Sequence, residues 1–184
     1  KNIVISTQCF SPVLGGMENL MKGLAESLHK KDFNIFVFAD SKNSLDEEKH
    51  DKHLSYEIIR YRGLKIIRKR RKSTDIKKFI NFKKNINCIF CDSWKSAENL
   101  IKNKIAENEK IFCLAHGNDI LTNKNIIKKK RIKKTLSATS CIIANSYFTK
   151  NKITNLGIKS NKIKVIYPGV ENIYFNSKKN NNLQ

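Results

Sequence analysis

Long apolar runs are missing from this chain. None approaches the roughly 20 residues that a membrane-spanning helix needs, and the N-terminal residues do not take the form of a signal peptide. These absences predict a cytosolic protein. No internal repeat is visible, which sets repeat architectures aside. Acidic side chains are scarce: 16 Asp and Glu face 37 Lys and Arg, for a net charge of +21. That excess predicts attraction to polyanions, whether nucleic acid, an anionic membrane surface or phosphorylated ligands, without choosing among them. Part of it is compositional, because Lys, Asn and Ile crowd the whole chain. The five cysteines, an odd number, do not pair into a closed framework. Cys88, Cys113 and Cys141 sit in apolar, strand-like runs, as small core residues of a reducing compartment do. Cys88 and Cys91 have C-x-x-C spacing, but no second Cys or His pair follows at zinc-finger distance, so no metal is expected there.

What is present is alternation. Seven short apolar runs recur at residues 3–7, 34–40, 54–61, 87–92, 110–116, 140–146 and 162–168. Segments of helical period separate most of them, at 17–30, 75–84, 96–106 and 147–156. The pattern predicts an α/β fold with a Rossmann-like, doubly wound, mostly parallel sheet of about seven strands and helices on both faces. With 184 residues, such a fold buries roughly 70% of the unfolded surface in one domain. The run at 54–61 alternates less cleanly and reads as an edge or antiparallel strand. The polar stretch 41–53 lacks a period and reads as a surface loop; His50, Asp51 and His53 within it read as solvated side chains more readily than as metal ligands.

The first strand leads into Phe10-Ser11-Pro12-Val13-Leu14-Gly15-Gly16-Met17-Glu18 and then a helix with apolar residues Leu20, Met21, Leu24, Ala25 and Leu28. Paired glycines permit positive φ and close approach of a ligand to bare backbone. The first helical turn directs its free N–H groups toward them, so an anion fits there. A Gly-Gly pair also serves as a plain strand-to-helix connection. Position favours the first use, because doubly wound sheets bind ligands at the carboxyl ends of their strands.

Two basic concentrations stand out. Residues 64–84 hold ten Lys or Arg against Asp75 alone, with Ile66, Ile67, Ile76, Phe79 and Phe82 interleaved. Arg68, Lys69, Arg70, Arg71 and Lys72 in that stretch are candidate contacts to an anionic membrane; a solvated helix face and loop is the alternative. The second, from Lys124 to Lys134, reads as the solvent side of a helix whose inner side is Ile126, Ile127, Ile132 and Leu136.

Four features stand in one order: Gly15-Gly16-x-Glu18, His116-Gly117 after the fifth strand, Ala144-Asn145-Ser146 after the sixth, and Ile166-Tyr167-Pro168-Gly169-Val170-Glu171 followed by Phe175. Together they resemble the N-terminal, acceptor-side domain of the family-4 retaining glycosyltransferases, which have two-domain GT-B architecture. The resemblance spans nearly the whole chain and implies half of a GT-B fold over residues 1–170, with 171–184 as the start of an interdomain linker or a frayed end. It implies that Gly15 and Gly16, with Glu18, approach the donor diphosphate and the acceptor. It also implies that His116 lines the sugar and acceptor pocket as the catalytic residue, with Asn118, Asp119 and Ser146 along the same cleft.

The domain that grips the nucleotide in that family is absent here, and no Glu-x7-Glu in suitable surroundings follows Gly169. The resemblance therefore implies a fragment without turnover of its own, no cofactor and no metal. Its partners would be a nucleotide diphosphate sugar and a glycan or lipid-linked acceptor, in bacterial surface polysaccharide assembly on the inner face of the cytoplasmic membrane. A basic nucleic-acid-binding module is the alternative, although an RNP-type aromatic pattern and a zinc pattern are lacking. A dinucleotide enzyme is disfavoured because the first loop has no G-x-G-x-x-G and Asp40 stands without it.

Overall fold

The computed structural model describes residues 1–42, 46–105, 109–121 and 125–169. Seven strands form one sheet: β1 (Asn2–Thr7), β2 (Asn34–Asp40), β3 (Glu57–Tyr61), β4 (Ile86–Cys91), β5 (Lys110–Ala115), β6 (Cys141–Ala144) and β7 (Ile163–Val165). Their order is β3-β2-β1-β4-β5-β6-β7 and every pairing is parallel. The chain therefore starts in the middle of the sheet, winds outward to one edge, crosses back and winds to the other. The run at 54–61 is an edge strand, as one of its two readings has it, but parallel.

Among the described residues seven α-helices, besides a short 3-10 turn at Ser160–Lys162, make the connections: α1 (Gly16–His29), α2 (Asp46–Lys52), α3 (Lys65–Lys83), α4 (Trp94–Lys102), α5 (Gly117–Ile120), α6 (Ile126–Ala138) and α7 (Tyr147–Thr154). Val4, Ile89, Cys113 and Ile142 point to one face of the sheet, where they meet Ile76 and Ile80 of α3, Leu100 of α4, Ile132 and Leu136 of α6 and Ile153 of α7. Ile3, Ile5, Ile35 and Val37 point to the other, against Met21 and Ala25 of α1. The period-2 alternation of β1 thus feeds two separate cores. Each fully buried Ile or Leu contributes about 1.5–3 kcal/mol of transfer free energy to them.

Three local readings are corrected. Residues 41–53 are not loop throughout, because α2 forms within them. Its Glu47 is buried, accepting hydrogen bonds from Ser41 Oγ (2.5 Å) and Lys42 N (2.7 Å) at the end of β2. A single internal carboxylate, rather than an apolar stripe, anchors this helix. The helix expected at 75–84 begins ten residues earlier, just after Gly63, whose φ of 95° turns the chain out of β3. Of the four residues assigned to the inner side of α6, Ile132 and Leu136 are buried but Ile126 and Ile127 are exposed. Lys124 and residues 171–184 lie outside the described residues.

Candidate active site at the carboxyl edge of the sheet

The strand order sets the carboxyl ends of β1, β4, β5 and β6 side by side. Register pairs Ser6 with Cys91, Cys91 with Cys113, and Ala115 with Ala144. The next residues along, Thr7-Gln8, Asp92, His116 and Asn145-Ser146, therefore form one row on one edge. The loop bearing Gly15 and Gly16 leaves from the same edge.

Asp92 is the hub of this row. It is buried, and its carboxylate accepts Thr7 Oγ1 (3.0 Å), Gln8 N (2.7 Å), Ser93 Oγ (3.2 Å) and Ser96 Oγ (2.5 Å). It fixes the first residues of the β1–α1 connection. Lys72 braces the same segment from below: its Nζ donates to Thr7 O and to Asp40 Oδ1, both at 2.7 Å. A third brace reaches further along the loop, where Arg60 donates to Ser11 O while forking onto both oxygens of Asp51 (2.9 and 2.8 Å). None of these three braces carries a sequence motif. Asp92 closes an apolar run and Lys72 hides in a basic one, so only the fold reveals them.

In the glycine loop, Gly15 has φ 171°, which is ordinary extended backbone, and left-handed φ occurs instead at Gly63 and Gly157. Positive φ is thus not what these glycines supply. At Gly15 a Cβ would meet the Glu18 carboxylate, the movable end of a flexible side chain, and at Gly16 nothing lies within 4 Å of where a Cβ would stand, so the space over Gly16 is open. Glu18 lies in the first turn of α1, its carboxylate folded over Gly15. It also accepts a hydrogen bond from the Cys9 thiol, whose pKa is pushed up to about 11 by burial first, then by the charges of Asp92 and Glu18. The positive end of α1 already has an internal anion.

His116 follows β5 in extended backbone, directly before α5. Its ring is half-buried and Nε2, shielded from solvent, has no hydrogen-bond partner among the described residues. Burial lowers its pKa; the charges of Asp119 and Asp92 and a hydrogen bond to the Asp92 backbone offset this in part. The neutral imidazole is therefore favoured near pH 7, and its unpartnered Nε2 can accept or relay a proton once the ring is uncovered to a ligand. Asp119 is held by Lys95 Nζ (2.7 Å), and its carbonyl accepts Trp94 Nε1 (3.2 Å). Asn118 is exposed beside it. Ser146 caps α7 by accepting Thr149 N (3.2 Å), and the adjoining Tyr147 and Phe148 are exposed, as is Tyr167 at 6.5 Å from Tyr147 between ring centroids. These rings present apolar faces on which a sugar can stack.

The five candidate membrane contacts separate. Lys72 is 4% exposed and bound to Asp40, so it is corrected to an internal ion pair. Arg68 Nε lies 3.0 Å from the other Asp40 oxygen without hydrogen-bond alignment, and its side chain turns inward with it. Lys69, Arg70 and Arg71 stay at the surface, Lys69 only partly exposed.

The family model for Glycosyltransferase Family 4 matches residues 14–172. No curated protein matches the chain. Among solved structures, HepE from Anabaena in complex with UDP is similar over 93% of this chain and 45% of its own, at 15% identity and TM-score 0.68. The lipopolysaccharide outer core galactosyltransferase WaaB, in its apo form, is similar over 93% of this chain and 46% of its own, at 16% identity and TM-score 0.63. Part of the sucrose-phosphate synthase from Thermosynechococcus elongatus is similar over 97% and 96%, at 16% identity and TM-score 0.66. The chain thus spans less than half the length of HepE and WaaB.

Proposed function

From the premise that this chain belongs to Glycosyltransferase Family 4 and folds as one Rossmann-like half of a GT-B enzyme, we propose that it is the acceptor-side half of a sugar-transfer site. The donor is a nucleotide diphosphate sugar, the anomeric configuration is retained, and the acceptor is a glycan or a lipid-linked glycan of a bacterial surface polysaccharide. The site lies on the inner face of the cytoplasmic membrane. HepE binds UDP and UDP-glucose, which supports a uridine nucleotide as the first donor to try.

The observation that carries this reading is His116: a neutral, half-buried imidazole at a strand end, its Nε2 without a partner, on the edge from which the glycine loop leaves. Such a group can accept a proton from, or donate a hydrogen bond to, a sugar hydroxyl. Gly16 leaves backbone open to the donor phosphates, and charge on the leaving diphosphate is stabilised by N–H groups at the start of α1 once Glu18 swings off Gly15. No metal or organic cofactor is required for these steps. The chain spans less than half the length of HepE and WaaB, so these 184 residues are expected not to turn over alone.

Release of nucleotide diphosphate from UDP-sugars tests the reading, measured for the 184 residues and for the product of the full reading frame. Turnover is expected only from the latter, falling about 100-fold or more in His116→Ala, the scale of a lost general acid–base group. Turnover by the 184 residues would overturn the half-site view, and an unchanged rate in His116→Ala would remove its catalytic role.

A further inference from the structure

A groove of about 580 Å³ runs between α3, α4 and α6, and it draws on both basic concentrations of the sequence, with Lys69 and Arg70 from the first and Lys128 and Arg131 from the second. Seven of its thirteen lining residues are Lys or Arg, and one, Glu98, is acidic. Glu98 is already neutralised, because Arg131 forks onto both of its oxygens at 2.7 Å. Lys65, Lys69, Arg70 and Lys128 line the groove with no ion pair among the described residues. The lining residues on α3 and α6 come from the first two turns of those helices, and those on α4 begin at its first residue. Those on α4 run on to its last residue, Lys102, so the positive ends of two helix dipoles, those of α3 and α6, add to the side-chain charge. Burial, and after it the charge of Lys65, lowers the Lys69 pKa, and the charges of Glu98 and Asp40 offset this only in part.

The rim of this groove is aliphatic. Ile66 and Ile127 line it and are 70% and 73% exposed; Leu64 and Ile67 at the start of α3 and Ile126 at the start of α6 are exposed as well. Two exposed aliphatic side chains in the lining of a cationic groove, Ile66 and Ile127, match a phosphate head group joined to hydrocarbon. They match a nucleic acid poorly, since the aromatic ring in the groove, Trp94, is buried and covered by the Arg131 guanidinium 5.5 Å from its centroid, leaving no platform on which a base can stack.

We propose that the α3/α4/α6 groove seats the phosphate head of an anionic membrane phospholipid, with the aliphatic rim entering the interface. Lys69 and Lys95 line both this groove and the small cleft beside Gln8, so the seat adjoins the carboxyl edge and holds that edge at the bilayer surface. The proposal rests on the acceptor-side reading only for its purpose; the binding itself is read without any sugar transfer, so the two can fail separately.

Co-sedimentation with phosphatidylglycerol–phosphatidylcholine vesicles tests it. Three proteins are compared: the unaltered chain, the groove triple Lys65→Glu/Arg70→Glu/Lys128→Glu, and a control triple Arg71→Glu/Lys77→Glu/Lys78→Glu with the same charge change on exposed α3 positions outside the groove. The unaltered chain should bind, lose binding at high salt, and ignore pure phosphatidylcholine. The groove triple should bind about 100-fold more weakly and the control triple at most a few-fold. At unchanged charge, Ile66→Ser/Ile127→Ser should also weaken binding severalfold, and equal melting temperatures show that the variants fold. Equal losses in the two triples overturn the groove in favour of diffuse charge. Absence of vesicle binding, or single-stranded RNA bound at near-physiological salt while vesicles are not, overturns the lipid.

Discussion

At the scale of single residues, His116 has an acid-side signature that can be checked without knowing any substrate. Burial holds its pKa in the folded chain below the unfolded value of about 6.5, so folding favours the neutral ring. The stability this contributes is fully present above the unfolded value and is lost as pH falls through the lower folded one. Thermal melts from pH 7.5 down to 5 should therefore fall more steeply for the unaltered chain than for His116→Phe; parallel curves would mean that the ring is not buried as the structure has it. The placement of His116 after β5 and of the Gly15-Gly16 loop after β1 is legible from the apolar runs that precede them. Asp92, Lys72 and Arg60 were not legible. A buried polar side chain is defined by what the fold brings to it, and Asp92 meets Gln8 across 84 positions of sequence while Lys72 meets Thr7 across 65. Glu18 shows the same effect within one loop: its position was legible, but not that it lies over Gly15 as the counter-charge of α1.

At the scale of elements, α3 was read by its charge and behaves by its burial. Lys72 and Asp40 are 5% and 4% exposed at their side chains, and the pair joins the middle of α3 to the end of β2. Removing one partner of a buried pair leaves an uncompensated charge, at a typical cost of about 3–5 kcal/mol. Arg68 remains beside Asp40 in a Lys72→Ala variant, so the loss in urea unfolding should lie near the low end, about 3 kcal/mol. Lys72→Met combined with Asp40→Asn should be less destabilised than the sum of the two single changes by more than about 0.5 kcal/mol. Strict additivity would show that the two groups do not depend on one another. The charge run concealed this pair because ten cations in a row of positions look alike until the helix start at Lys65 fixes which of them face the sheet. Ile126 and Ile127 differ in the opposite direction: apolar residues at helical spacing read as core, yet both lie exposed in the first turn of α6.

At the scale of the whole molecule, the fold was the most legible property, because seven apolar runs with helical segments between them leave few alternatives to a parallel doubly wound sheet. Charge was the least legible, since a net +21 names no partner and says nothing of where the cations stand. The structure sorts them. The acids Asp40, Glu47, Asp51, Glu98 and Asp119 all lie within ion-pair distance of a cation, and they leave a large remainder of Lys and Arg without a counter-charge among the described residues. Self-repulsion among that remainder destabilises the compact state, and it acts between exposed groups over distances comparable with the Debye length of about 10 Å at 0.1 M salt. The Lys72–Asp40 pair is buried on both sides, so salt weakens it much less. Added sodium chloride should therefore raise the melting temperature of this chain by a few degrees between low ionic strength and about 0.5 M, whereas it abolishes binding to anionic vesicles over the same range. The opposite signs separate the two roles of one charge excess. A melting temperature that falls with salt would mean that exposed ion pairs contribute more to this fold than the repulsion they sit among, and the sorting of cations into paired and unpaired sets would have to be redrawn.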